Sequence, residues 1–219
     1  MNTHLITKVC GLNQAENMLD VDKLGVNYIG LIFYPKSPRF VTPKSLTPTK
    51  AKKVGVFVNT DINEILNQIK SYNLSAVQLH GQESVEFIKE LRETILNDPE
   101  LSFIEIWKAI AIKNKSDFEQ CSAYEHDVDK FVFDTKAKVL GGSGLKFDWA
   151  NLEAYNLSTN FLLSGGISAE DAVKISQIQH SKLIGVDLNS KFELQPGLKD
   201  IKRLSIFTSQ LKTYENSIV

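Results

Sequence analysis

The chain has 219 residues, of which 42% are hydrophobic and 23% charged, with a formal net charge of -1. This composition describes one globular domain, predicted over residues 1–219, and a chain of this length buries roughly 70% of the surface that its unfolded form exposes. No apolar stretch approaches the ~20 residues that cross a bilayer and no block of like charge marks a nucleic-acid face, so neither a membrane nor a polynucleotide is an expected partner. The two cysteines, Cys10 and Cys121, lie far apart with no signal-peptide core ahead of them, which predicts reduced thiols in a cytoplasmic protein.

In chain order, short β-branched or aromatic runs alternate with amphipathic helical ones. The strand-like runs are Leu5 to Cys10, Asn27 to Tyr34, Lys53 to Val58, Ala76 to His80, Phe103 to Ile112, Phe131 to Asp134, Phe161 to Leu163 and Lys182 to Leu188. Ile62, Ile65, Leu66 and Ile69 keep helical spacing, as do Val85, Ile88, Leu91 and Ile95, while Ile201, Leu204, Ile206 and Leu211 approximate it. Alternating β and α units predict a parallel sheet. An open doubly wound sheet is the alternative, but suspected functional groups end at least four separate strands, and a closed (β/α)8 TIM barrel collects all of them on one rim. Between the second and third strands Pro43 and Pro48 forbid a long helix, so the second helix is expected to be shortened or missing.

The strand ends carry the chemistry. Cys10 ends the first run just before Gly11, and by alternation Lys8 shares its face one layer below, where an ammonium favours thiolate over thiol. Asp134 ends the sixth run, and a carboxyl on a partly apolar rim has its charged form disfavoured, leaving an acid able to donate a proton. Plainer readings exist: a strand cysteine is usually an inert core residue, and Asp134 can cap the next turn. Cys121 keeps the plain reading. Gly165 and Gly166, ahead of Ser168-Ala-Glu-Asp171 with its helix-start composition, form a candidate phosphate cradle, and Gly185 to Ser190 are expected to supply the neighbouring turn. These glycines can equally make tight βα turns. Arg39, on the loop after the second strand, offers a planar fork for a carboxylate or is simply solvated. Gln78 and His80 share one face at the end of the fourth strand, lining the mouth, unless His80 is a structural histidine. The Gly141 to Gly144 run is flexible enough to close over a ligand and lacks dinucleotide-binding spacing. Lys199 and Asp200 are predicted to cap and start the last helix, and Trp107, Trp149 and His4 to be packing or surface residues.

Six ordered motifs then carry a resemblance: Lys8-Val-Cys-Gly11, Phe33-Tyr-Pro-Lys-Ser-Pro-Arg-Phe-Val41, Val54-Gly-Val-Phe-Val-Asn59, Val77-Gln-Leu-His-Gly81, Gly141-Gly-Ser-Gly-Leu-Lys-Phe-Asp-Trp149 and Gly185-Val-Asp187. From about Leu5 to Leu211 the chain resembles the phosphoribosylanthranilate isomerases of tryptophan biosynthesis. The resemblance implies a (β/α)8 barrel, monomeric or homodimeric, that uses no cofactor or metal. It implies an Amadori rearrangement of a small phosphorylated substrate, N-(5-phosphoribosyl)anthranilate. The family's general base falls on Cys10 and its general acid on Asp134, with Arg39 toward the anthranilate portion and Asp187 near the substrate's amino group. The phosphate site falls on Gly165, Gly166, Asn189 and Ser190.

Two departures stand out. The family usually carries Ser-Ser-Gly after the Asp of strand eight, whereas Asn189-Ser-Lys-Phe192 removes the glycine and adds a cation; the other departure is the Pro-rich 42–52 segment. The related sugar isomerase of histidine biosynthesis would place a carboxylate base where Cys10 stands. Indole-glycerol-phosphate synthase would show a lysine acid and catalytic glutamates on the rim, and a non-catalytic phosphate binder would have lost the acid or the base.

Overall fold

Eight short β-rich runs too small to stand alone can bury both faces only by closing on one another, and the computed structural model, which describes residues 5–42, 47–135 and 146–217, shows that closure. The strands are β1 (Ile6–Cys10), β2 (Tyr28–Ile32), β3 (Lys52–Phe57), β4 (Ala76–Leu79), β5 (Glu105–Ile112), β6 (Lys130–Thr135), β7 (Phe161–Leu163) and β8 (Leu183–Leu188). They run parallel in sequence order, and β8 closes the barrel on β1 with Lys8 opposite Asp187. The fifth strand starts two residues later than its sequence pattern suggests, because Leu101 to Ile104 is spent in a turn that leaves Phe103 exposed.

Two apolar layers hold the barrel. The outer one packs strands against helices. The inner one fills the N-terminal half of the barrel with Tyr28, Val54, Ala76, Trp107, Ala109, Val132 and Leu162, the Tyr28 and Trp107 rings meeting edge to face at 5.0 Å. Above that plug the inward positions turn polar: Lys8, Cys10, Gln78 and Asp187 are buried there. The chain thus keeps its polar inward residues at one end of the barrel, where they share the mouth with apolar ones such as Ile32 and Val56.

Helices α1 (Ala15–Lys23), α2 (Ile62–Tyr72) and α3 (Val85–Asn97) cover the outside. Asp61 and Ser84 cap the last two by accepting from the backbone N–H of Glu64 and Phe87. Ile65 and Ile69, then Ile88, Leu91 and Ile95, are buried as their spacing predicts. After β5 and β6 come 3-10 helices, Lys115–Ala123 and Trp149–Ala154, each burying a pair three residues apart, Phe118 with Cys121 and Trp149 with Leu152.

Among the described residues no helix links β2 to β3; Phe40 instead bridges Ile32, and Val41 N–H donates to the Ile32 carbonyl. After β7 follow a 3-10 turn (Ala169–Asp171) and the short α4 (Ala172–Ser176). After β8 come a 3-10 turn (Ser190–Phe192), the hairpin β9 (Glu193–Gln195) and β10 (Leu198–Lys199), and α5 (Ile201–Ser217). In α5 the buried apolar face is Leu204, Phe207 and Leu211; Ile206, expected on that face, is exposed. Trp107, Trp149 and Cys121 are buried packing residues. His4 and the Gly141 to Gly144 run lie outside the described residues.

Candidate active site

A cavity of about 780 Å³ opens at the C-terminal ends of the strands. Cys10, Arg39, Gln78, His80 and Asp134 line it, as do Gly165, Gly166, Asp187, Asn189 and Ser190, so every site residue singled out from the sequence faces one space. Closure of the barrel brings them together from five strand ends and the loop after β2.

Cys10 is buried, and its sulfur fits only because its neighbour on β2 is Gly30, where a Cβ would lie 2.6 Å from Sγ. Lys8 is also on the inner face and fully buried, but its ammonium is 2.9 Å from Asp187 Oδ2, which takes much of its charge. Burial pushes the Cys10 thiol up, Lys8 and Lys199 pull it down, Asp187 pushes it up again, and the net result lies above the ordinary thiol value. Lys8 thus favours the thiolate, as the sequence suggests, but desolvation outweighs it and no low-pKa thiol results. Burial also raises the Asp187 carboxyl, with Lys8 opposing and Asp134 adding. For Lys8, burial lowers the pKa, but Asp187 and the Cys10 sulfur outweigh it and hold the ammonium above its ordinary value.

Replacing the charge of Asp187 has a definite sign. Asp187→Asn removes an anion that raises the Cys10 pKa and frees Lys8 to act on the sulfur. The pH midpoint of Cys10 alkylation by iodoacetamide, followed peptide by peptide in a mass spectrometer, should move down; a midpoint that stays or rises removes Asp187 from control of the thiol.

Across the cavity, Asp134 Oδ1 accepts from the Thr135 N–H at 2.8 Å, a local cap that leaves Oδ2 toward the pocket, 3.4 Å from His80 Nε2. Gln78 Nε2 lies 3.2 Å from His80 Nδ1. With the amide nitrogen donating, Nδ1 accepts and the ring proton sits on Nε2, facing Asp134. Two buried oxygens in this wall, Gln78 Oε1 and Asp187 Oδ1, have no hydrogen-bond partner among the described residues. Such acceptors carry a desolvation cost that a bound donor relieves.

Gly165 and Gly166 both have positive φ, +84° and +67°, a conformation that other residues resist. Ser168 starts the following 3-10 turn, its N–H and Oγ both donating to Asp171 in a reciprocal cap. Gly185 has a different role from the expected turn: it lies within β8 against Ile6, where a Cβ would sit 2.7 Å from the Ile6 Cβ. A smaller cavity of about 400 Å³ shares Gly166 with the main one and is lined also by Lys146, Ser168, Lys191 and Arg203. Lys191 and Arg203 favour an anion at this end, while Lys146 is already paired with Asp171 and Glu170 adds a carboxylate to the lining.

Arg39 is not a solvated loop arginine. It is buried, with Nε 2.9 and 3.0 Å from the two Glu193 carboxylate oxygens and Nη2 2.7 Å from Oε2. Lys199 lies on β10 ahead of the last helix; its buried ammonium donates to Asn189 Oδ1 and Glu193 Oε1, both at 2.7 Å. Asp200 alone caps α5, through the Arg203 N–H. The sequence places Lys199 only at a helix start and gives no sign of Glu193, because Arg39 and Glu193 are 154 positions apart and no local pattern links them.

A protein-family model described as N-(5'phosphoribosyl)anthranilate (PRA) isomerase matches residues 7–210. An N-(5'-phosphoribosyl)anthranilate isomerase of Parabacteroides distasonis is 42% identical, over 94% of this chain and 93% of that protein. The solved phosphoribosyl anthranilate isomerase of Thermotoga maritima superposes with a TM-score of 0.80 at 30% identity, covering 95% of this chain and 99% of that one. A similar structure, solved with reduced 1-(o-carboxyphenylamino)-1-deoxyribulose 5-phosphate, gives a TM-score of 0.77 at 27% identity, with 95% and 99% coverage.

Proposed function

Because the chain belongs to the N-(5'-phosphoribosyl)anthranilate isomerase family, we propose that it converts N-(5-phosphoribosyl)anthranilate to 1-(2-carboxyphenylamino)-1-deoxyribulose 5-phosphate, a step of tryptophan synthesis, in the cytoplasm. The observation that carries the reading is the shared cavity: Cys10 and Asp134 face it from β1 and β6, with β7 and β8 between them, and Asp187 Oδ1 awaits a donor in the same wall.

Asp134 Oδ2 gives a proton to the ring oxygen of the ribose, and the C1–O bond breaks as the nitrogen lone pair forms an iminium. The cationic nitrogen acidifies the C2 proton, which the Cys10 thiolate removes; the C–H electrons become the C1–C2 double bond of an enolamine. Tautomerisation returns a proton to C1 and leaves a ketone at C2. C2 is oxidised and C1 reduced within one molecule, so electron balance asks for no redox cofactor. The anilinic N–H is the donor that suits Asp187 Oδ1, and the Asp187 charge stabilises the iminium as it forms. Gly165, Gly166, Asn189 and Ser190 hold the phosphate, with the Lys191 side chain taking over from the glycine that the family usually has there. Gln78 and His80 line the sugar, and Arg39 meets the anthranilate carboxylate through a charged fork.

The purified chain should abolish the fluorescence of phosphoribosylanthranilate far faster than the compound decays by itself. Decay no faster than the enzyme-free control would end this reading.

A further inference from the structure

We infer that Glu193 and Lys199 are positioning residues that turn Arg39 into a receptor for a single carboxylate and so fix which end of the substrate enters which end of the cavity. The inference rests on the function proposed above and adds the groups that act through Arg39.

A guanidinium has two edges that can each pair with a carboxylate, Nε with Nη2 and Nη1 with Nη2. Glu193 takes the first edge through three short contacts. That fixes the plane of the fork and leaves the Nη1–Nη2 edge as the one for a ligand, at a residue that lines the cavity. Glu193 by itself would also cancel the charge of Arg39. Lys199 prevents that: its side chain is fully buried, and its ammonium binds the same Glu193 oxygen at 2.7 Å. One carboxylate thus sits between two cations; burial lowers the Lys199 pKa while Glu193 and the Cys10 sulfur oppose that shift, and with the ammonium protonated the cluster carries one excess positive charge. Burial opposes ionisation of Glu193, but Arg39 and Lys199 outweigh it and hold the carboxyl below its ordinary range, so the anion stays in place.

An unbalanced buried charge is costly until a counter-ion arrives. A monoanionic carboxylate balances this cluster, whereas a phosphate dianion would overshoot it. The phosphate is instead matched by the glycine turn and the cations around Lys191.

The test measures binding of two probes by calorimetry: reduced 1-(2-carboxyphenylamino)-1-deoxyribulose 5-phosphate and the reduced phenylamino analogue that lacks the carboxyl. Their affinity ratio isolates the carboxylate contact. Lys199→Met should lower the ratio about tenfold, or ~1.4 kcal/mol, while the analogue without the carboxyl keeps its Kd within about twofold. Glu193→Gln, the same shape with an NH2 replacing one acceptor, should lower the ratio several-fold and decides the matter if the lysine variant does not fold. Arg39→Ala should collapse the ratio. Parallel weakening of both probes, or an unchanged ratio in the Lys199 and Glu193 variants beside a collapsed one in Arg39→Ala, overturns the positioning role and leaves the proposed function intact. A ratio preserved in Arg39→Ala removes the carboxylate reading of Arg39 beneath it.

Discussion

Cys10→Ala should fold, bind the reduced product analogue and lose about 10² to 10⁴ in kcat, the range a positioned base contributes. The side chain is small and buried beside Gly30, so its loss leaves a cavity of one sulfur atom and little strain. What disappears is the group proposed to accept the C2 proton. The pH profile adds a second check. A thiolate base and a carboxylic acid must share one proton between them, with the proton on the carboxyl, and carboxylic acids are stronger acids than thiols. The working form is then a minor tautomer of the singly protonated pair. Its share does not change with pH until that remaining proton is lost, so kcat/KM should be flat through neutrality. On the alkaline side it should fall only above the ordinary thiol range, because burial raises Cys10. A Cys10→Ala variant that keeps near-wild-type turnover would refute the assignment outright.

The second large effect is that of Asp134→Asn. The amide keeps the shape of the carboxyl and cannot donate a proton to the ring oxygen, so kcat and kcat/KM should fall together by about 10² to 10⁴. Binding of the product analogue should change little, since the loss falls on the transition state rather than the ground state. His80, 3.4 Å from Asp134 Oδ2, is the nearest group able to take over part of the task. Residual activity of the variant should therefore drop again in Asp134→Asn with His80→Asn. A variant that raises KM alone, with kcat preserved, would reassign Asp134 from proton donor to substrate contact.

The barrel was legible because its signals are local. Val85, Ile88, Leu91 and Ile95 repeat at helical spacing, and a helix buries the last three. Cys10 and Asp134 end β-rich runs, and they are at strand ends in the structure. Elsewhere packing overrules the local pattern. Phe207 takes the buried face of α5 in place of Ile206, and Gly185 serves a close strand contact rather than a turn. Lys199 looked like a helix-start residue because Pro196-Gly197 precedes it. The β9–β10 hairpin turns it instead onto Glu193.

Order along the chain was enough to specify eight strands of one barrel and the thiol and carboxyl at their C-terminal ends. Hydrophobic period and side-chain alternation are short-range properties that survive in a list of residues. Electrostatics did not follow from the list. Lys8 meets Asp187 across 179 positions and Arg39 meets Glu193 across 154, and both pairs exist only once β8 has closed on β1. Whether Cys10 is pushed toward thiol or thiolate depends on burial and on charges brought in by that closure. Coulomb and desolvation energies are set by distance through space and by exclusion of water, and only the folded barrel fixes either.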